Sequence, residues 1–500
     1  MNPDSPTKTE VRAAQRTRWL ILLAVGVVVL LIGLILAKQV ANQRRDKAAV
    51  QQALDRIRAA GQPVRGRELM ALRPNPPPER DWRTIIEPLL LANPLQTAAW
   101  GLLRSNAPLD LALPALRSDL ASNAPVLAVV LQTDLSALDS RVDWPVEPDQ
   151  VWSCRTAEIF KNINLTRALG EQAVYAAATG HPDLATAALV KSFQVAQVGA
   201  ELFLIEFVCQ QACEGISLQA LEMAVNRSAF ADADLQRLER ALPRRATNSL
   251  HAAVIAGRVG AIWLCELARD HPDQFSGQIN GSVRGFSPVP TLATLAQTRN
   301  PIRWLWGWGQ ARIALLRQPL YRPGDFLALL DRQALREQAT RLPLRERLSS
   351  FERADKEKLA LDTNRASHAV CWSEPKYLAA AKQDAVNQVR LALAHTALAV
   401  ERWRLAHEGR LPENLAELVP AYLPAVPADP FDDQPIRFKH LPQGFVVYSV
   451  GLDGTDNGGK EDPAYATGYA TDDNGYDVTF TIKRRTGRIT SRARRGPPRR

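Results

Sequence analysis

The spacing of apolar positions changes character several times along this chain. Trp19 to Ala37 is a run of 19 residues without a charge, WLILLAVGVVVLLIGLILA. As a helix it spans roughly 28 Å, about the hydrocarbon thickness of a bilayer. The run predicts an uncleaved transmembrane anchor. A cleaved signal peptide is the rival, with Ile35-x-Ala37 as a tolerable cleavage site, although its apolar core is normally shorter. No second segment of comparable length and apolarity follows, so a single pass is expected. Val50, Leu54 and Ile57 then mark a polar helix within residues 38–60. Arg73-Pro-Asn-Pro-Pro-Pro78 ends it with a semi-rigid, extended spacer.

From about Asp81 to Lys376, Ala, Leu and Arg dominate and strand signals are almost absent. Helices are predicted near 82–92, 96–105, 125–138, 148–179, 182–199, 201–226, 232–241, 246–271, 303–316, 324–337 and 345–361. Thr166 to Gly180, followed by His181 to Leu189, resembles one tetratricopeptide-like hairpin, with Gly180-His-Pro at the turn. No repeat of that length accompanies it, so an irregular α-helical bundle or array is expected rather than a solenoid.

The last quarter has a different pattern. From Gln383 to His407, apolar residues recur at Val386, Val389, Leu393, Ala397, Val400 and Trp403, one stripe of a long helix. Gln388, Arg390, Glu401, Arg402 and Arg404 fall largely off that stripe, where solvent is expected. Gly409 suits a left-handed cap and Pro412 blocks continuation. Pro412 to Leu418 predicts a short helical turn that returns Leu415 and Leu418 to the core. Pro420, Pro424, Pro427 and Pro430 then make an extended connection. Ile436 to Lys439 and Phe445 to Val450 read as a hairpin turning at Gln443-Gly444, and Asp477 to Ile482 as a third strand. A helix laid on such a sheet buries both apolar faces at once.

The order of these motifs matters: Gly409-Arg-Leu-Pro412, Asp429-Pro430, Tyr448-Ser449 and Gly451-Leu-Asp-Gly454. It resembles the globular part of type II secretion major pseudopilins and related pilin-like domains. That resemblance implies a long helix on a small antiparallel sheet and an Asp-rich loop able to bind calcium. It covers about the last quarter of the chain. Pilins begin with a processed hydrophobic helix continuous with the long one, whereas here the apolar run lies far upstream. The resemblance therefore implies the head module and not a filament subunit. The chain is also similar to a broad class of membrane-anchored helical bacterial proteins that end in the same module, which implies no activity.

Charge refines this picture. Lys and Arg total 62 against 52 acidic residues, a net charge of +10. Nine of the basic residues lie in the tail from Lys483 to Arg500, which has no acid, so the rest is nearly neutral. The high pI describes a tail suited to polyanion or membrane-surface contact rather than a nucleic-acid-binding fold. Basic residues flank the apolar run on both sides (Lys8, Arg12, Arg16 and Arg18; Lys38, Arg44, Arg45 and Lys47), so charge does not orient it. The pilin resemblance implies that the bulk is extracytoplasmic.

Candidate chemistry is sparse. Asp453, Asp456, Glu461, Asp462, Asp472, Asp473 and Asp477 crowd a glycine-rich loop with one Lys460. Dense carboxylates repel one another unless water or a hard cation screens them. EF-hand spacing fails, with Thr455 at the third position and Ala464 where the bidentate Glu belongs. Asp453, Asp462, Asp473 and Asp477 are the candidate calcium ligands, with the Leu452 carbonyl; a solvated loop is the alternative. Gly454 to Lys460 approaches a phosphate-binding loop, but Glu461 replaces Ser or Thr and Asp462-Pro463 blocks the helix that would hold the phosphate. Cys209 and Cys213 share a helix face without two further ligands and read as buried structural thiols. The five cysteines imply no disulfide framework. HExxH, GxSxG and GxGxxG are absent. Glu206 lies in an apolar run as a buried, paired carboxylate. Trp304, Trp306 and Trp308 read as packing, with sugar or membrane contact as the alternative.

The expected fold is mainly α: one transmembrane helix, an irregular helical array, then a small α+β pilin-like domain. The expected divisions are a polar tail (1–18), the anchor (19–37), a helical stalk and Pro-rich spacer (38–80), the helical domain (81–376), the pilin-like domain (377–482) and a basic tail (483–500). The expected function is a non-enzymatic scaffold or interaction module in the bacterial inner membrane, facing an envelope protein partner in the periplasm. A hydrolase with its site in the helical domain, or a polyanion binder acting through the tail, are the alternatives.

Overall fold

The computed structural model describes residues 30, 33, 34, 37, 38, 41, 44, 45, 47–72, 76–105, 108–139, 156–198, 204–243, 249–270, 323–364, 377–461 and 475–483. The chain divides into two compact units, residues 1–64 with 268–331, and residues 65–267 with 332–500. In the first, the described residues are helical over 47–59 and from 323 onward. Of the anchor, residues 30, 33, 34 and 37 are helical, with Leu30 and Leu34 exposed. The remainder of 19–37, the Trp304–Trp308 cluster, Cys154, Cys371, the helix expected at 303–316 and the tail after Lys483 lie outside the described residues.

The second unit is mainly helical with a three-stranded antiparallel sheet. After short helices at Trp82–Ile85 and Glu87–Ala92 come α1 (Ala98–Arg104), α2 (Leu109–Gln132), α3 (Thr156–Ala178), α4 (Pro182–Gln197), α5 (Leu204–Val225) and α6 (Asp232–Ala241). Then follow α7 (Ser249–Asp270), α8 (Pro323–Ala339), α9 (Leu344–Asn364) and the 30-residue α10 (Tyr377–Ala406). Pattern and structure agree closely on most of these helices. The main difference is α2, which starts well before 125 and carries Pro114 and Pro125 inside it. Its inward residues Leu116, Val126 and Val130 are fully buried, so packing outweighs the lost ladder bonds. α3 and α4 pack as a hairpin turning at Gly180, with φ +85°. Leu250–Leu267 of α7 is long and apolar enough to cross a membrane, with mean hydropathy 1.4, but half of it is buried within the protein. Its Arg258 pairs with Glu337 of α8 at 2.5 Å, which suits a core helix.

α10 has two packed sides. One lies on β2 (Gly444–Ser449) and β3 (Val478–Lys483); the other lies on α5, α6 and α9. The expectation that Arg390, Glu401 and Arg404 are solvated is therefore corrected: all three are buried. The helix array covers the face that the sheet leaves free. Arg404 donates to Glu401 at 3.1 and 3.0 Å, and Asn387 donates to the Gln211 carbonyl at 2.7 Å. One continuous apolar core runs from Ala99 and Trp100 through α10 to Phe480 and Ile482.

The sheet order is β1 (Arg437–Leu441), β2, β3. Leu441 pairs with Gly444, so the hairpin turns at Pro442-Gln443, one residue before the expected position. Gly444 serves another purpose: at φ +153° it lies so close to β3 that a Cβ would sit 1.8 Å from the Ile482 carbonyl oxygen. The outer edge of β3 is closed by α5. Glu222 accepts from the Thr481 N–H at 2.7 Å, and Asn226 accepts from Lys483 N–H at 2.6 Å and donates to Thr481 O at 2.8 Å. Two helical side chains thus stand in for a fourth strand. Burial pushes the Glu222 carboxyl up to about 8.

Candidate functional site

Two of the four motifs that carry the pilin resemblance, Asp429-Pro430 and Tyr448-Ser449, meet at Asp429. This aspartate is fully buried at the end of the proline connection. Its oxygens accept from Phe431 N at 3.1 Å, Ser449 Oγ at 2.9 Å, Val450 N at 3.0 Å and Arg437 Nη1 at 3.0 Å. Asp429-Pro430 and Tyr448-Ser449 are thus one joint, tying the connection to the end of β2. Arg437 also binds Asp432, and Asp456 through Nε at 3.3 Å. The hydrogen bond from Arg437 holds the Asp432 carboxyl below its ordinary value.

The described first part of the acidic loop, up to Glu461, lies over the outer face of the sheet. A Cβ on Gly459 would lie 3.1 Å from both Tyr448 Cδ1 and Val446 Cγ1, so only glycine lets the backbone lie flat there. Asp477 holds the loop in place. Its Oδ1 accepts from Asn457 N at 3.1 Å, and Oδ2 from Gly459 N at 2.7 Å and Lys460 N at 3.3 Å. Burial raises the Asp477 carboxyl, and those three amides oppose the rise. The amides that a phosphate would need are therefore engaged by a carboxylate, which disposes of the phosphate-loop likeness physically.

Of the four candidate calcium ligands, Asp453 and Asp477 are described, whereas Asp462 and Asp473 lie outside the described residues. Asp453 Oδ1 accepts from Thr455 N at 3.0 Å. Among the described residues no three His, Cys, Asp or Glu side chains converge as a metal site. The two described members still fit an oxygen-binding cation in part. A carboxylate has about four lone-pair sites, so among the described residues Asp453 Oδ2 and one site on Asp477 Oδ1 have no donor. Local charge also favours a cation: the Tyr448 phenol is raised by burial first and then by Asp456 and Asp477.

The array holds the other sequence candidates. Cys209, Cys213 and Cys265 are buried, and burial pushes the Cys209 and Cys213 thiols up to about 11 and about 12, unreactive at neutral pH. Glu206 is buried at the start of α5. A groove of about 610 Å³ opens between α6, α10 and the proline connection. It contains His395 and Glu239, but its lining has no Ser, Thr or Cys nucleophile, and Glu239 is held by Arg402 at 2.9 Å. The sequence did not reveal the Asp429 joint or the Glu222 and Asn226 cap, because both join residues far apart in the chain. No protein-family model, curated protein or solved structure matches this chain.

Proposed function

We propose that the chain is a single-pass, membrane-anchored scaffold of the bacterial envelope. In this reading it is non-enzymatic and presents a pilin-like C-terminal head to an envelope partner from the periplasmic side of the inner membrane. The observation that carries the reading is the long helix α10 laid on an antiparallel sheet, with Asp429 and Ser449, from two of the four pilin-like motifs, hydrogen-bonded to each other. The exposed, helical Leu30 and Leu34 support the anchor. The rigidity of the head supports a docking role, since its loop is pinned by Asp477 and its sheet edge by α5.

The pilin resemblance extends the proposal to calcium, held by Asp453, Asp462, Asp473 and Asp477 with the Leu452 carbonyl. The metal would screen the crowded carboxylates and stiffen the loop; the chain's own residues already set the loop's path. The anchor is tested by fractionation of cells expressing the full chain. The protein is expected in carbonate-washed membranes, and deletion of residues 19–37 should release it. A deleted protein that stays membrane-embedded would overturn the reading.

A further inference from the structure

Two acidic side chains from different helices meet at the first turn of α1. Asp119 of α2 accepts from Ala99 N at 2.8 Å, and Glu171 of α3 accepts from Trp100 N at 2.7 Å through Oε1. These are neighbouring amides of one turn, so the two carboxyl groups are forced close together. Glu171 is fully buried and Asp119 is 6% exposed. Glu171 Oε2 is buried with no hydrogen-bond partner. Among the described residues neither group has an ion-pair partner. We propose that Asp119 and Glu171 share one proton in the folded protein, making the seat of α1 on α2 and α3 a proton-dependent joint.

A proton between the two groups accounts for the orphan oxygen. A buried carboxylate oxygen without a donor is costly, and two neighbouring buried carboxylates are more so. As a carboxylic acid, Glu171 carries no charge beside Asp119, and its Oε2 no longer stands as a buried carboxylate oxygen without a donor. The charged groups acting on Glu171 are Asp119 from α2, which disfavours its ionisation, and Arg167 on its own helix, which favours it. α1 contributes the Trp100 amide. α5 contributes Ala220, packed beside Gly170, where a Cβ would also sit 2.8 Å from the Trp100 ring. Burial is the largest influence and, with Asp119, pushes the Glu171 carboxyl up to about 8.

The sign follows directly. An unfolded glutamate ionises near about 4.3, so the folded state holds one extra proton from there up to about 8. The stability this proton supports is complete below the lower value and is lost as pH rises to the upper one. The test is denaturation of the full chain in detergent between about pH 5 and about pH 9, beside Glu171→Gln, which keeps the shape and cannot ionise. Relative to the variant, the folded-to-unfolded ratio of the wild type should fall about tenfold per pH unit inside the window. Infrared spectra at neutral pH should show a protonated carboxyl band that Glu171→Gln removes. If that variant fails to fold, Asp119→Asn serves instead. Its amide satisfies Oε2 and removes the like charge, so the carboxyl band should weaken at neutral pH and the stability loss should move to lower pH. A wild-type-to-variant difference that is constant with pH, or a carboxyl band unchanged in the variant used, would overturn the proposal.

Discussion

Asp429 shows how much one residue can hold. It accepts four hydrogen bonds, one from a guanidinium, at a position with no solvent exposure. Removing it leaves Phe431 N, Ser449 Oγ and Val450 N without an acceptor and frees Arg437 from one of its three acidic partners. Each buried donor so stranded costs about 1–3 kcal/mol. Asp429→Ala should therefore destabilise the second unit by about 3 kcal/mol or more, read from the denaturation midpoint of the full chain; a change under about 1 kcal/mol would refute the joint. Asp429-Pro430 and Tyr448-Ser449 were each legible as motifs. That they touch was not, because a linear pattern records spacing and not the path of a proline-fixed connection. Gly444 was similarly visible as a hairpin glycine, but its purpose is the close approach of the Ile482 carbonyl rather than the turn.

At the scale of elements, the helical period located most of the described helices, because burial on one side imposes that period wherever a helix lies on an array. Asp232–Ala241 is the clearest instance, with Leu235 and Leu238 facing in and charges facing out. The period understated α10. A stripe reports one buried face, whereas α10 is buried against the sheet on one side and helices on the other, so Arg390, Glu401 and Arg404 are enclosed with partners. The edge cap on β3 also escaped the sequence, since Glu222 and Asn226 lie more than 250 residues before the strand they close. The acidic loop carries the element-scale prediction. Millimolar calcium should raise the melting temperature of the protein by a few degrees over chelator-treated samples, and Asp453→Ala should abolish the difference. Equal melting temperatures would remove the metal from the account and leave the loop to Asp477 and the contacts of Arg437 and Lys439.

For the whole molecule, the chief consequence is that head and array share a core. Apolar residues from α1 to β3 form one cluster through α10, and α5 closes the sheet edge. A scaffold built this way presents its head in a fixed orientation on the array, which suits docking. The account's central claim is that this head faces away from the cytoplasm. A thiol placed at exposed Thr455 on the loop reports that directly in a background with Cys154 and Cys371 replaced by Ser, because the other three cysteines, Cys209, Cys213 and Cys265, are buried. Thr455→Cys should react with a membrane-impermeant maleimide in intact inner-membrane spheroplasts, while Ser5→Cys should react only after lysis. Labelling of Ser5→Cys in intact spheroplasts with Thr455→Cys protected would contradict the account.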